Sequence, residues 1–159
     1  MKKVCKYFIV VVAFLICTQA VAQKGWRVGV SINPGISTTE SYGFVLGSDV
    51  RLQTGIGNKV SFILTSGLTH FFETVKSNSY TVVPIKGGFK SFLGNNLYAA
   101  IEAGVGVGLS KGTEASFVWS PSFGLAFKQI DVSLKYEDFT KYQATKQVAL
   151  RFAYGFKLN

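Results

Sequence analysis

The chain has 159 residues, 48% hydrophobic and 14% aromatic, with 17 glycines and a formal charge of +9. Both cysteines, Cys5 and Cys17, lie near the start, so everything after them is without a disulfide, a thiol nucleophile or a cysteine metal site. An export leader at the start disfavours nucleic acid as the target of the basic excess, leaving ordinary solvation or anionic lipid head groups.

Residues 1–22 read as that leader. Lys2, Lys3 and Lys6 form a positive start, Tyr7 to Cys17 an apolar stretch, and Ala20-Val21-Ala22 a small-residue cleavage site that would expose Gln23. About eleven apolar residues are too few to span a bilayer core of about 30 Å. Cys17 follows Leu15-Ile16 and precedes Thr18-Gln19, which is not the setting of a lipidated cysteine. The remaining segment, 23–159, is one domain's worth of chain with no solenoid repeat. It keeps fourteen basic and eight acidic residues, a formal charge of +6.

From Trp26 onward the sequence alternates large apolar with small or polar side chains, the period of a β-strand with two different faces. The first segment, 26–36, sets Trp26, Val28, Val30 and Ile32 against Arg27, Gly29, Ser31 and Asn33. The second, 42–54, sets Tyr42, Phe44, Leu46, Val50 and Leu52 against Gly47, Asp49, Arg51 and Gln53. In the third, 59–71, Val60, Phe62, Leu64 and Leu68 oppose Ser61, Thr65, Gly67 and Thr69; in the fourth, 80–92, Val83, Ile85 and Phe89 oppose Lys86, Gly88 and Lys90. The fit is weakest in the third and fourth segments: Ile63 and Val82 fall on the polar face, and Ser48 and Ser66 on the apolar faces of the second and third. The fifth segment, 97–109, carries Ile101, Val105 and Val107 against Ala100, Glu102, Gly104, Gly106 and Gly108. The last three, 116–128, 130–138 and 147–157, alternate almost without error, as in Ile130, Val132, Leu134 and Tyr136 against Asp131, Ser133, Lys135 and Glu137.

Residues paired across a hairpin share a face, so loop length must match the change in apolar parity. Lys128-Gln129 supplies the even loop required between segments six and seven, and Gly94-Asn95-Asn96 the odd one between four and five. Ile56-Gly57-Asn58 serves between two and three, with Asn58 and Asn96 expected at the last loop position. The other connections, near 37–41, 72–79, 110–115 and 139–146, are longer. Tight turns on one side and long loops on the other describe an eight-stranded antiparallel up-and-down transmembrane barrel.

The composition of the two faces sets their orientation. The non-apolar face is mostly Gly, Ala and Ser with charges of both signs, which suits a crowded lumen better than a solvated exterior. Arg27, Asp49, Arg51, Lys86, Glu102, Lys135, Glu137 and Arg151 are the candidates for an ion-paired lumen. The glycines at 104, 106 and 108 are expected to give the long arginines room, with a small internal cavity as the alternative. On the other face, Trp26, Phe89, Phe127 and Phe156 would form an aromatic girdle near one rim and Tyr42, Phe72, Trp119 and Tyr136 one near the other. A two-sheet sandwich could bury the same apolar set, but it leaves open edges. A soluble lipocalin-like barrel around an apolar ligand would need a more polar exterior.

The Val83-Pro84-Ile85-Lys86 strand start, the Leu97-to-Gly106 stretch and the Gly124-to-Tyr136 hairpin resemble the small outer-membrane β-barrel proteins common in Bacteroidota, similar in architecture to OmpX-like barrels. The resemblance implies an outer-membrane protein in contact with outer-membrane lipid, handled during biogenesis by the barrel-assembly machinery. The chain departs from that pattern in ending on Leu158-Asn159 rather than on an aromatic residue. Some barrels of this size are lipid A-modifying enzymes, with His, Ser and an acid near the external rim. His70, the single histidine, lies near Glu73, Ser77 and Ser79 in sequence, but a lone rim histidine is ordinarily an interfacial polar residue, and a non-enzymatic role is expected. Neither a cofactor nor a metal is expected: Glu137-Asp138 is the single adjacent acidic pair, and the alternating glycines are not a phosphate-binding turn.

Overall fold

A computed structural model describes residues 25–39, 43–72, 79–109, 115–140 and 145–158. The expected leader 1–22, Tyr42, Glu73 and Ser77 lie outside the described residues. Eight strands follow in order: β1 (Trp26–Ser37), β2 (Phe44–Gly55), β3 (Val60–Phe71), β4 (Tyr80–Phe92), β5 (Leu97–Gly108), β6 (Ala115–Ala126), β7 (Ile130–Phe139) and β8 (Lys146–Lys157). Each pairs antiparallel with its chain neighbours, and β1 pairs with β8 to close the barrel. Closure satisfies the strand backbones without leaving an edge, the condition for a sheet to cross hydrocarbon.

The start of β1, the end of β8 and the three tight turns lie at one end of the barrel, here called the terminal end; the strand ends that the longer connections join lie at the other, the loop end. Two turns have the expected register. Leu93 N–H donates to the Leu97 carbonyl (2.9 Å) around Gly94-Asn95-Asn96, and Phe127 N–H donates to Ile130 (2.7 Å) around Lys128-Gln129. The β2–β3 turn differs by one position. Ile56 N–H donates to the Val60 carbonyl (3.0 Å), and Gly55 pairs with Ser61, so the loop is Gly57-Asn58-Lys59 with Asn58 in its middle. Odd length is preserved, so no face is exchanged.

All three prolines sit inside strands, each keeping one neighbour and losing rungs with the other. Pro34 faces Leu46 on β2, while the β1–β8 ladder skips from Ile32 to Gly35. Pro84 faces Gly106 on β5, while the β3–β4 ladder skips from Ser66 to Thr69. Pro121 faces Ile101 on β5, while the β6–β7 ladder skips from Trp119 to Ser122. A proline has no N–H to donate, so it is accommodated where one ladder can open locally.

The expected orientation is the one observed. Ile101 is 56% exposed and Leu134 54%, whereas Arg151 is 2% and Glu137 0% exposed. An exterior of exposed Val, Leu, Ile and Phe around a charged interior inverts the arrangement of a water-soluble globule. Ser48 and Ser66 do face outward, and Ile63 and Val82 are fully buried inside.

The glycine row in β5 works differently from either expectation. A methyl group on Gly106 would meet the Phe139 ring at 2.6 Å and Val82 at 2.9 Å, so an inward-turned aromatic fills this space. At Gly104 the added carbon would strike the backbone of Ile85 and Lys86; glycine here allows β4 and β5 to approach closely. Gly106→Ala therefore destabilises the barrel by about 1–3 kcal/mol through overpacking. Gly87→Ala, whose methyl would meet Phe62 at an ordinary 3.8 Å, stays within about 0.5 kcal/mol of wild type. Urea titration of the two variants folded into lipid vesicles checks the contrast.

Candidate functional site

The inward-facing side chains fill the lumen in three layers. At the loop end, Val45, Phe71, Val82, Val118 and Phe139 form a buried apolar cluster with Tyr80 packed against it. The Phe71 and Phe139 rings meet edge to face at 6.2 Å. Towards the terminal end, Ile63, Tyr98 and Ala100 form a second cluster, covered by Phe92 and Ala126.

Between the clusters lies a network of five cations and four carboxylates. Arg51 donates from Nη2 to Glu102 (2.6 Å) and from Nε to Thr65 (3.1 Å). Arg151 donates to Asp49 (3.0 Å), which also accepts from Asn33 Nδ2 (2.8 Å). Lys86 binds Glu137, whose second oxygen accepts from Gln147 (2.7 Å) and lies 3.5 Å from Lys135. Asp131 accepts from Lys90 (2.5 Å) and from the Tyr98 hydroxyl (2.6 Å), and lies 3.6 Å from Arg151. Lys90 also stands 3.7 Å from the centroid of the Tyr98 ring, a cation–π contact. Each of these ions thus lies within ion-pair distance of an opposite charge, the condition under which ions tolerate burial, with one cation more than carboxylates.

Seven of the eight sequence-derived lumen candidates meet in this network: Asp49, Arg51, Lys86, Glu102, Lys135, Glu137 and Arg151. Arg27 does not. It shares their face but lies at the open terminal mouth, exposed and without a carboxylate partner among the described residues. One strand end too far out, it keeps its hydration and needs no counter-ion. Lys90, Asp131, Tyr98 and Asn33 belong to the network although the sequence reading did not place them among its ion-pair candidates. Their inward parity was legible, but their partners depend on barrel diameter and stagger, which parity does not specify. The two apolar clusters were missed for another reason. Val45, Phe71, Tyr98, Val118 and Phe139 fall on the polar parity of their strands, as Ile63 and Val82 do, and such exceptions gain meaning only when read at one height around the barrel.

Of the aromatic girdle candidates, Phe89, Phe127 and Phe156 are exposed at the terminal end, with Trp26 half-buried beside them. Phe72 and Trp119 are exposed and Tyr136 half-buried towards the loop end, where Trp119 and Tyr136 rings lie 5.6 Å apart. His70 also faces outward by register. Its Nδ1 shares a hydrogen bond with Thr81 (2.7 Å) and its ring packs edge-on against Phe72 at 4.6 Å, so its partners are wall residues rather than the lumen. The Glu137-Asp138 pair is split by the strand. Glu137 points into the network, and Asp138 takes Lys146 (3.3 Å) and the Tyr136 hydroxyl (3.4 Å).

At the terminal mouth the filling stops short. A cavity of about 240 Å³ is lined by Arg27, Arg51, Lys90, Lys128, Arg151 and Lys157 with Asp131, together with the outward-facing Val28, Phe127, Ile130 and Phe156. A wider recess of about 480 Å³ adjoins it between Arg27, Gln53, Ser61, Phe92 and Lys157.

No family model matches the chain, and none of the curated proteins does. Solved structures do share its fold. The Yersinia pestis outer-membrane protein Ail in a phospholipid bilayer nanodisc superposes with a TM-score of 0.56 at 13% identity, covering 82% of this chain and 99% of that one. Ail in complex with the heparin analogue sucrose octasulfate gives 0.59 at 13% identity over 85% and 99% of the two chains. A barrel from the de novo design of transmembrane β-barrels gives 0.53 at 12% identity over 82% and 95%. The chain is a closed, eight-stranded, all-antiparallel barrel, similar in fold to Ail and to designed transmembrane barrels.

Proposed function

We propose that this is an integral outer-membrane protein, exported by a cleaved leader at 1–22, with its termini and tight turns in the periplasm. Its role is structural or interactive rather than enzymatic. The observation that carries this reading is the coexistence of an apolar exterior with an ion-paired interior, an arrangement stable in a bilayer and poorly suited to water. Ail, whose fold is similar, was studied in a phospholipid bilayer nanodisc, which supports the same setting here. Outer-membrane lipid is then the solvent of the wall, and the barrel-assembly machinery the partner during insertion. Contacts with other molecules fall to the longer connections, because the Phe71–Phe139 cluster fills the lumen at the strand ends they join.

Two measurements test the proposal. After lysis without detergent the protein is expected in the membrane pellet; recovery in the soluble periplasmic fraction would exclude the membrane reading and favour an exported ligand-binding barrel. In planar bilayers conductance is expected to be negligible, since an eight-stranded barrel leaves an interior just wide enough for side chains. Discrete large channels would show that the lumen opens.

A further inference from the structure

The formal charge is distributed unequally along the barrel. The lumen network holds five cations against four carboxylates, and Asp138 is matched by Lys146. The terminal rim, by contrast, carries Arg27, Lys59, Lys128 and Lys157 with no Asp or Glu beyond the network's Asp131 among the described residues. Nearly all of the basic excess of the described residues is therefore at this end.

The rim also has a step. The β7–β8 ladder stops at the pair Ile130–Tyr154, whereas β8 continues along β1 as far as Lys157, opposite Arg27. The low β6–β7 turn is held against β8 by a 2.7 Å hydrogen bond from Gly155 N–H to the Gln129 carbonyl. Over this step the 240 Å³ cavity joins two chemistries. Its inner wall offers Arg27, Lys128 and Lys157; its outer wall is the apolar surface of Phe127, Ile130 and Phe156. A free anion would use the inner wall alone. A phospholipid would use both, its phosphate on the cations and the start of its acyl chains on the aromatic rings.

We infer that this notch binds the phosphate of an anionic phospholipid in the periplasmic leaflet, holding one lipid at a fixed place on the rim. The inference rests on the membrane reading above. Trp26, on the strand that carries Arg27, is the reporter: with Trp119→Phe as background it is the one remaining tryptophan. Its fluorescence is measured in phosphatidylcholine vesicles containing either brominated phosphatidylglycerol or brominated phosphatidylcholine. Quenching by brominated phosphatidylcholine reports that the barrel is in the bilayer, and its absence overturns the membrane reading and the site together. Excess quenching by phosphatidylglycerol reports the site, with a relative association of at least about fivefold expected from three nearby cations.

Lys128→Gln is expected to halve that preference or more, while Lys59→Gln, on the rim but outside the cavity, preserves it. Equal quenching by the two lipids, or equal losses in the two variants, would reduce the notch to diffuse surface charge and overturn the assignment. Inorganic phosphate in the buffer, against chloride at matched ionic strength, is expected to leave the preference intact; its abolition would mean a site for a free anion. Cosedimentation with peptidoglycan sacculi that Lys128→Gln removes, with lipid preference unchanged, would assign the notch to that polymer instead.

Discussion

Glu137→Leu is expected to destabilise the folded barrel by about 3–5 kcal/mol, the cost of leaving a buried charge without its partner. The carboxylate it removes serves Lys86 through one oxygen and Gln147 and Lys135 through the other, so one substitution strands two ammonium groups where water has no access. Leucine fits roughly the same space, which makes electrostatics rather than a cavity the source of the loss. Adding Lys86→Met to the same chain is expected to recover part of the stability, because replacing both members of a buried pair with apolar groups is often neutral or favourable. Recovery stays incomplete, since Lys135 still lacks its carboxylate. Urea-induced unfolding from lipid vesicles measures both; a single-variant loss below about 1 kcal/mol would mean that the network is hydrated and not a dry core.

Ile101→Arg tests the exterior in the same way. Ile101 lies near the middle of β5 and is 56% exposed. Arginine at the bilayer midplane costs a transmembrane barrel about 2–4 kcal/mol, falling to about 0–1 near the interface. Leu93→Arg, at the terminal turn and 59% exposed, is therefore expected to be nearly silent despite equal exposure and identical chemistry. In water both substitutions would fall within about 0.5 kcal/mol of wild type. A difference set by depth is the signature of a membrane; equal, small effects would exclude one.

Most of the wall was legible in the sequence because a strand's period of two is a local property. Trp26 to Ile36 and Ile130 to Asp138 announce both their strands and their faces, and the Lys128-Gln129 turn fixes the register between β6 and β7 by parity alone. Parity also placed Asp49, Arg51, Glu102 and Arg151 indoors. It could not say that Arg51 meets Glu102 rather than Asp131, because that choice depends on which strands face each other across the lumen. The β2–β3 turn was misplaced by one residue for a related reason: parity distinguishes odd loops from even ones, but not two odd loops offset by one position. The lipid notch depends on strand ends of unequal height, for which the alternation carries no signal.

The three proline gaps and the ion network have a joint mechanical meaning. A closed hoop with three softened seams would flex at β1–β8, β3–β4 and β6–β7. Each seam is spanned by at least one chord across the interior: Arg151 on β8 to Asp49 on β2, Arg51 on β2 to Glu102 on β5, and both Lys86 and Lys90 on β4 to Glu137 and Asp131 on β7. The staves are thus cross-braced where their lateral bonding is thinnest, and the roundness of the barrel is kept by spokes as much as by its rim.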